Sequence, residues 1–407
     1  MIGIDICSIS RFSNMKNLDK FLEKYFTIRE IEYISNTGYR DETIAGIFSL
    51  KEAFVKAIGT GFGTILPIDV EVIHNFSGKP ELNVFNTIES KIDEIFCSVS
   101  HDGDFAIAVV DIKLFKDSID SEKFLEYKNL MINRDENGHK GTFGKVGIVG
   151  GSIGMCGSVD LCAKSALRTG SGLVYNICPN SISNILQIKA VENIIFPIND
   201  NNEGHFIFEN VNEIIEKIEN LDAIAIGCGL GRSIENIKIL ETIIKNFQKP
   251  IVIDADAIFF LNDIEKEILN RENVIITPHE AEFSRFSGYD LSYIKDNRLE
   301  SLINFYEQDL KYTLVLKGKN TIIKSKENCI INNTGNCGMA TAGSGDCLTG
   351  IILSLLGQGL ETFNSAKLGV FLHGFAGDFA KDELGEDSLI ASDIIKFLPK
   401  AIKYIRG

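Results

Sequence analysis

The sequence predicts an α/β protein in two parts: a small α+β domain, then a larger doubly wound domain with a mostly parallel sheet. Three observations carry that expectation. From Lys145 onward, apolar strand-like runs alternate with Gly-rich turns and helical patterns. The first ~115 residues mix the two periodicities without strict alternation. The length, 407 residues, exceeds one ordinary core and suits two or three domains.

The first strand is read at Ile2–Cys7, followed by helical patterns around Leu18–Tyr25 and Ile44–Ile58. Strands follow at Ile68–His74 and Phe105–Ile112, the second with Phe105, Ile107 and Val109 alternating. The segment Lys113–Asn133 is charged, weakly patterned and free of Gly and Pro. The domain change is placed there, near Ser118, giving domains 1–118 and 119–407. Beyond it, strands are read at Val146–Val149, Leu173–Cys178, Ala223–Ile226, Ile251–Ile253, Val274–Ile276 and Leu314–Leu316. In open α/β sheets ligands bind beyond the carboxyl ends of such strands, where these Gly-rich turns lie.

Composition excludes several classes. Hydrophobic residues at 44% and charged ones at 24% describe an ordinary globular chain. Lys+Arg 41 against Asp+Glu 56 leaves a net charge of −15, which discourages general binding to nucleic acid or anionic membranes. The longest apolar runs, such as Ile351–Leu356, are far too short to span a bilayer. The opening MIGIDICSIS carries Asp5 within its apolar run and no basic lead-in, unlike a signal peptide. Nine cysteines, with no C-x-x-C pair and no zinc spacing, point to a reducing cytoplasm. Cys97, Cys162 and Cys347 are read as small buried hydrophobes.

The turn Gly227-Cys-Gly-Leu-Gly231 is not G-x-G-x-x-G, and no G-x-x-x-x-G-K-[ST] occurs. A dinucleotide dehydrogenase and a P-loop ATPase are therefore disfavoured. The sharpest segment runs from Asn333 through Gly343-Ser-Gly-Asp346 into the apolar helix Leu348–Leu356. Glycines entering a helix leave backbone N–H groups pointing at one spot, and the helix dipole adds to their pull on an anion. Asp346 in that first turn is placed to take a proton from a substrate hydroxyl. The plainer alternative is that Asp346 only caps its helix.

Several motifs follow in order around that segment. His139-Lys-Gly-Thr-Phe-Gly144 and Val149-Gly-Gly-Ser152 open the run. Gly227–Gly231, Asp254-Ala-Asp-Ala257, Thr277-Pro-His-Glu-Ala-Glu282 and Leu316-Lys-Gly-Lys-Asn-Thr321 continue it, and Thr334–Asp346 and His373-Gly-Phe-Ala-Gly-Asp378 close it. Over about residues 125–405 the chain resembles the ADP/ATP-dependent NAD(P)H-hydrate dehydratases, which have a ribokinase-like fold. The resemblance implies that Asp346 is the base and that Gly343, Ser344 and Gly345 form an anion hole. It implies a nucleotide (ADP or ATP) held by Lys317, Gly318, Lys319, Asn320 and Thr321. Ser158, Gly229 and His279 match positions that touch the hydrated NAD(P)H. Plainer readings make His279 a loop pin, Lys317 a solvated charge and Gly229 a turn glycine. The chain departs from the family pattern at Ser158 (commonly Ala), Cys337 (commonly Pro) and Ala342 (commonly Gly). A small-molecule kinase of similar fold is the competing reading, opposed by the His139–Gly144 and Thr277–Glu282 motifs.

The front domain has its own set: Gly3-Ile-Asp5, Lys51-Glu-Ala-Phe-Val-Lys56, Asp69-Val-Glu-Val72, Gly78-Lys-Pro80 and Ser98-Val-Ser-His101. This resembles holo-acyl-carrier-protein synthase, a phosphopantetheinyl transferase, over residues 1–115. The resemblance implies coenzyme A as co-substrate and acyl carrier protein as partner. Asp5 on a strand and Glu52 on a helix suit one Mg²⁺. Lys51 and Lys56 are expected to neutralise the diphosphate, with His101 near the cofactor. A strand-end turn role for Asp5, and a Glu52–Lys56 surface pair worth about 0.3–0.5 kcal/mol, are the alternatives. Lys16, Lys20 and Lys24 recur every four residues as one basic helical stripe, with Arg11 just before it. Such a stripe suits an acidic carrier protein, or is simply a solvated face. Ile47 stands where relatives often have Arg. A homo-oligomer is expected, the front family being typically trimeric and the rear often tetrameric. A silent oligomerisation module is the competing reading of the front domain.

Overall fold

The computed structural model describes residues 1–407 except 14, 60, 63, 64, 86–91 and 115–120. It divides into two compact units, Met1–Phe124 with Gly407, and Leu125–Arg406. The domain change expected near Ser118 lies outside the described residues. Among the described residues no helix is long and apolar enough to cross a membrane.

In the first unit, strands β1 (Ile2–Ser8), β2 (Val70–His74), β3 (Pro80–Val84), β4 (Ile92–Asp102) and β5 (Phe105–Leu114) form two antiparallel sheets. The larger has the order β1-β5-β4, and β2 pairs with β3. Strand side chains alternate between faces. Cys7, Ala106, Ala108, Val110 and Ile112 are buried, and the helix Asp41–Ile58 contributes to the same core. Gly3 permits that approach: a Cβ there would lie 2.0 Å from the Ala53 carbonyl oxygen. The opposite face stays apolar and exposed, with Ile2, Ile4, Ile6, Phe96, Phe105, Ile107 and Val109 all open to solvent.

The same helix corrects one expectation. Lys51 does not face a diphosphate site; its side chain is fully buried. Its ammonium lies 2.6 Å from Glu30 Oε2 and donates to the carbonyls of Tyr25 (3.0 Å) and Pro67 (2.9 Å). Three N–H donors meet three acceptors, so none is left for a ligand. Glu30 in turn accepts from the Val72 and Thr27 amides at 2.7 Å, through the capping box of the helix Ile28–Asn36. Burial pushes the Lys51 ammonium down and the Glu30 carboxyl up, each partly opposed by the other's charge.

The second unit contains β6 (Lys145–Val149), β7 (Leu173–Pro179), β8 (Ile194–Ile198), β9 (Ala223–Ile226), β10 (Ile251–Ile253), β11 (Val274–Ile276), β12 (Thr313–Leu316), β13 (Thr321–Lys324) and β14 (Cys329–Asn332). Their order is β14-β13-β12-β11-β10-β9-β6-β7-β8, parallel from β12 to β8 and antiparallel at β13 and β14. The six expected strands are present. The three additional ones, β8, β13 and β14, extend the sheet at its two ends. In β9, Ile224 and Ile226 enter one core layer, while Ala223 and Ala225 enter the other with Leu348 and Ile352. Small alanines let the helix Ser344–Gly357 sit close over the middle of the sheet. This brings its first turn to the carboxyl ends of β9 and β10.

The buried pair gives a direct prediction. Lys51→Ala leaves Glu30 uncompensated and should destabilise the first unit by about 3–5 kcal/mol. Denaturant unfolding followed by a probe in that unit measures this; a loss below about 1 kcal/mol contradicts the assignment.

Candidate active site

Asp254 directly follows β10, and its side chain is buried. Asp254 Oδ1 receives the Lys317 ammonium at 2.6 Å, and Oδ2 receives the Thr349 hydroxyl at 2.6 Å. One carboxylate thus joins the end of β12 to the helix that carries Asp346. Burial works against the Asp254 charge, but Lys317 and the hydroxyl partners outweigh it and hold the group below its usual range. Lys317 also lies 3.9 Å from Glu282, and the two carboxylates overcome burial to raise its ammonium. Its charge is therefore shared with protein carboxylates rather than solvated.

Asp346 stands in the first turn of the helix Ser344–Gly357. Burial, and then the negative charge of Asp254, push its carboxyl up to about 6. Hydrogen bonds from Cys228 and Ser158 pull the other way. A carboxyl poised near neutrality is suited to proton transfer. Gly343 precedes the helix with φ 89, a left-handed conformation, and a Cβ on it would meet Leu161 at 2.4 Å. A Cβ on Gly345 would lie 3.4 Å from the Lys317 ammonium. Amide donors of a helix N-terminus, a lysine and a raised carboxyl therefore converge on one place.

The substrate-side residues gather around it. Gly229 has φ 60, and a Cβ there would lie 2.7 Å from the Met155 carbonyl oxygen and 3.3 Å from Ser158 Cβ. Ser158 is among the groups that favour the ionised form of Asp346, which places it on the same side of the site. His279 caps the helix Glu280–Ser287: its Nδ1 accepts from the Ala281 and Glu282 amides at 3.1 Å, and its Nε2 lies 3.4 Å from Glu282 Oε1 on a half-exposed ring. It does pin a loop, with a ring edge still presented to solvent. Lys319 and Asn320 form the exposed turn between β12 and β13, Asn320 with φ 56. Thr321 Oγ1 donates to the Gly318 carbonyl at 2.9 Å.

The motif reading missed Asp254, Thr349, Cys228 and His373 as members of the site. His373 is half-buried and its Nε2 lies 2.9 Å from the Ser344 carbonyl oxygen, under the glycine loop. Burial lowers its imidazole to about 4, so the ring is neutral and its Nε2–H donates to that carbonyl. Cys228, Asp254 and Asp346 present a thiol and two carboxylates within 4.8 Å of one another. With a thiol among the donors and both oxygens of Asp254 already engaged by Lys317 and Thr349, this set does not fit a resident hard cation.

In the first unit, Asp5 on β1 receives the Lys56 ammonium at 2.6 Å, so Lys56 reaches the carboxylate across from its own helix. Burial raises the Glu52 carboxyl, and the charge of Asp5 raises it further. Two mutually repelling carboxylates with hard oxygen donors fit a divalent cation. Arg11 lies over the rings of Phe48 (5.4 Å), Phe12 and Phe21 (5.9 Å each). His101 Nε2 is 3.0 Å from the Glu42 carbonyl oxygen, on an exposed edge. The expected single basic stripe needs correction. Lys20 and Lys24 share the helix Leu18–Tyr25, but Lys16 lies in the turn before it.

Comparisons with known proteins place each unit in a family. A family model for NAD(P)H-hydrate dehydratase matches residues 146–400, and one for the 4'-phosphopantetheinyl transferase superfamily matches residues 1–110. The ADP-dependent (S)-NAD(P)H-hydrate dehydratase of Neisseria meningitidis is 35% identical over 276 residues, covering 66% of this chain and 88% of that protein. The bifunctional NAD(P)H-hydrate repair enzyme Nnr of Moorella thermoacetica is 37% identical over 273 residues, covering 66% of this chain. The match covers 51% of that relative, so the chain spans about half its length. The ADP/ATP-dependent NAD(P)H-hydrate dehydratase of Bacillus subtilis, co-crystallized with ATP/Mg²⁺, superposes with a TM-score of 0.59 at 26% identity, covering 69% of this chain and 97% of that one. A ribokinase-like superfamily protein from Enterococcus faecalis gives 0.60 at 26% identity, covering 70% and 95%. The chain belongs to the NAD(P)H-hydrate dehydratase family, its ribokinase-like domain fused behind a domain of the 4'-phosphopantetheinyl transferase superfamily.

Proposed function

We propose that the rear domain dehydrates the S-form of hydrated NAD(P)H at the expense of ADP, giving NAD(P)H, AMP and phosphate, in repair of damaged nicotinamide nucleotides. The observation that carries this reading is the Asp346 carboxyl, raised to about 6, in the first turn of a glycine-led helix. Hydroxide is a poor leaving group from C6 of the hydrated ring. Asp346 takes the hydroxyl proton as that oxygen attacks the terminal phosphorus of ADP. The new O–P bond replaces the bond to the AMP oxygen. The ring nitrogen then expels phosphate, and loss of a proton from C5 restores the dihydronicotinamide. Amides at Gly343, Ser344 and Gly345, with Lys317 behind them, meet the charge on the moving phosphoryl group. Ser158 and Gly229 border the hydrated ring, and His279 offers its outer edge to the dinucleotide.

The front domain transfers 4'-phosphopantetheine from coenzyme A to a serine of an acyl carrier protein. Asp5 and Glu52 would hold Mg²⁺, which would supply positive charge to offset that of the diphosphate. Lys56 stands at Asp5, and His101 borders the cofactor. Arg11, Lys20 and Lys24, with Lys16 ahead of them, face the acidic carrier. The exposed apolar face of β1, β5 and β4 supports self-association into a homo-oligomer, since so large an apolar patch is unusual on a monomer.

Three outcomes are expected. Hydrated NADH mixed with ADP should regain nicotinamide absorbance, and Asp346→Asn should cut turnover at least about a hundredfold while nucleotide binding is largely kept. The ionised carboxylate is the working form, and its pKa is raised, so it is lost as pH falls through about 6. The rate kcat/KM should then drop about tenfold per pH unit below 6, and a profile flat to about pH 4.5 contradicts the assignment. For the front domain, radiolabelled pantetheine should pass from coenzyme A to a carrier protein with Mg²⁺ and not in Glu52→Ala. No labelling by the wild-type protein would sink the transferase reading.

A further inference from the structure

The turn after β12 is built around a cation that takes no part in the chemistry above. Arg298 opens the helix Arg298–Phe305, and its guanidinium is largely covered. Its Nη2 donates to the carbonyls of Leu316 (3.1 Å) and Lys317 (3.0 Å). Its Nη1 donates to Lys319, in close contact, and reaches the Asn320 carbonyl at 3.5 Å. On the other side Nε lies 3.1 Å from Glu280 Oε1, an ion pair set off the axis of a hydrogen bond, which leaves Nε without a bonded acceptor. Glu280 directly follows His279. The residue therefore ties the substrate-side turn to the turn assigned to the nucleotide.

The backbone shows what the clasp does. In a trans peptide the C=O and the next N–H point in opposite directions. Drawing the Lys317 and Lys319 carbonyls onto one guanidinium turns the amides of Gly318 and Asn320 away from it. Two donors then face the side where an anion is received. Gly318 has φ 136, a conformation that favours glycine, and a Cβ there would press on the clasp at 2.9 Å from Arg298 Nη2. Lys317 is anchored beside them, its amide donating to the Pro278 carbonyl at 2.8 Å.

We infer that Arg298 is a positioning residue that, braced by Glu280, holds the Lys317–Asn320 turn in the form that binds the phosphoryl donor. This rests on the assignment of that turn to the nucleotide. Lysine carries the charge but not the planar fork, and so reaches fewer of these carbonyls.

The test is calorimetric binding of ADP to the full chain, with kinetics on hydrated NADH as a second readout. Binding reads the turn whether or not dehydration occurs, so failure of the repair reading (no turnover by wild type) is distinguishable from failure here. Arg298→Lys should weaken ADP binding about tenfold and raise its KM similarly, with kcat at saturating ADP within about threefold. Glu280→Gln, which leaves the arginine in place, should weaken binding about threefold. Binding by Arg298→Lys within about twofold of wild type, or a fall in kcat with unchanged ADP affinity, overturns the proposal. Should that variant not fold, Glu280→Gln decides, and unchanged affinity overturns it.

Discussion

The rear site depends on one buried ion pair. Asp254 and Lys317 meet at 2.6 Å, and the second oxygen of Asp254 holds Thr349 on the helix of Asp346. The pair has two electrostatic effects at once. Negative charge on Asp254 adds to burial in keeping the Asp346 carboxyl high, which suits the base role proposed for it. The Lys317 ammonium is drawn beside Gly345, where it adds positive potential to amides already directed at an anion. Neither group is free to drift, because each is the other's counter-charge in a place that water barely reaches. On the proposed reading, one contact therefore adjusts both the strength of the base, which burial raises first, and the pull on phosphate.

Close backbone approach does comparable work in both units. Gly3 lets the helix Asp41–Ile58 settle onto β1, which places Lys56 at Asp5 and brings Glu52 near the same carboxylate. In the rear unit, Ala223 and Ala225 under the helix Ser344–Gly357 carry its first turn over the strand ends. A side chain at Gly350 would lie 2.1 Å from the Cys162 carbonyl oxygen, so the helix Cys156–Thr169 that carries Ser158 packs tightly as well. The functional groups are ordinary. Their usefulness comes from small residues that bring two backbones together and leave a charged side chain at the seam.

The central strands were legible because β9, β10 and β11 are buried on both faces and read as unbroken apolar runs. β8 was hidden by Pro197, which an edge strand tolerates, and β13 and β14 are only four residues long. The helix Ile28–Asn36 was missed although Thr27 and Glu30 spell its capping box. Asp346 and its glycines stood out because their spacing is itself the chemistry. Asp254, Thr349 and His373 were silent, since their roles arise from contacts between distant segments. Lys51 shows the limit of a motif: residues 52 and 56 share one helical face, while their neighbour at 51 turns into the core. Spacing along the chain did not say which lysine faces the site.

In the proposed reaction the substrate's own hydroxyl oxygen attacks phosphorus and departs within phosphate. Hydrated NADH labelled with ¹⁸O at the C6 hydroxyl tests this directly, by mass measurement of the inorganic phosphate released. One labelled oxygen in phosphate is expected for each NADH restored. Label recovered in water, with unlabelled phosphate, would mean that the hydroxyl leaves without ever being phosphorylated, and would contradict the mechanism.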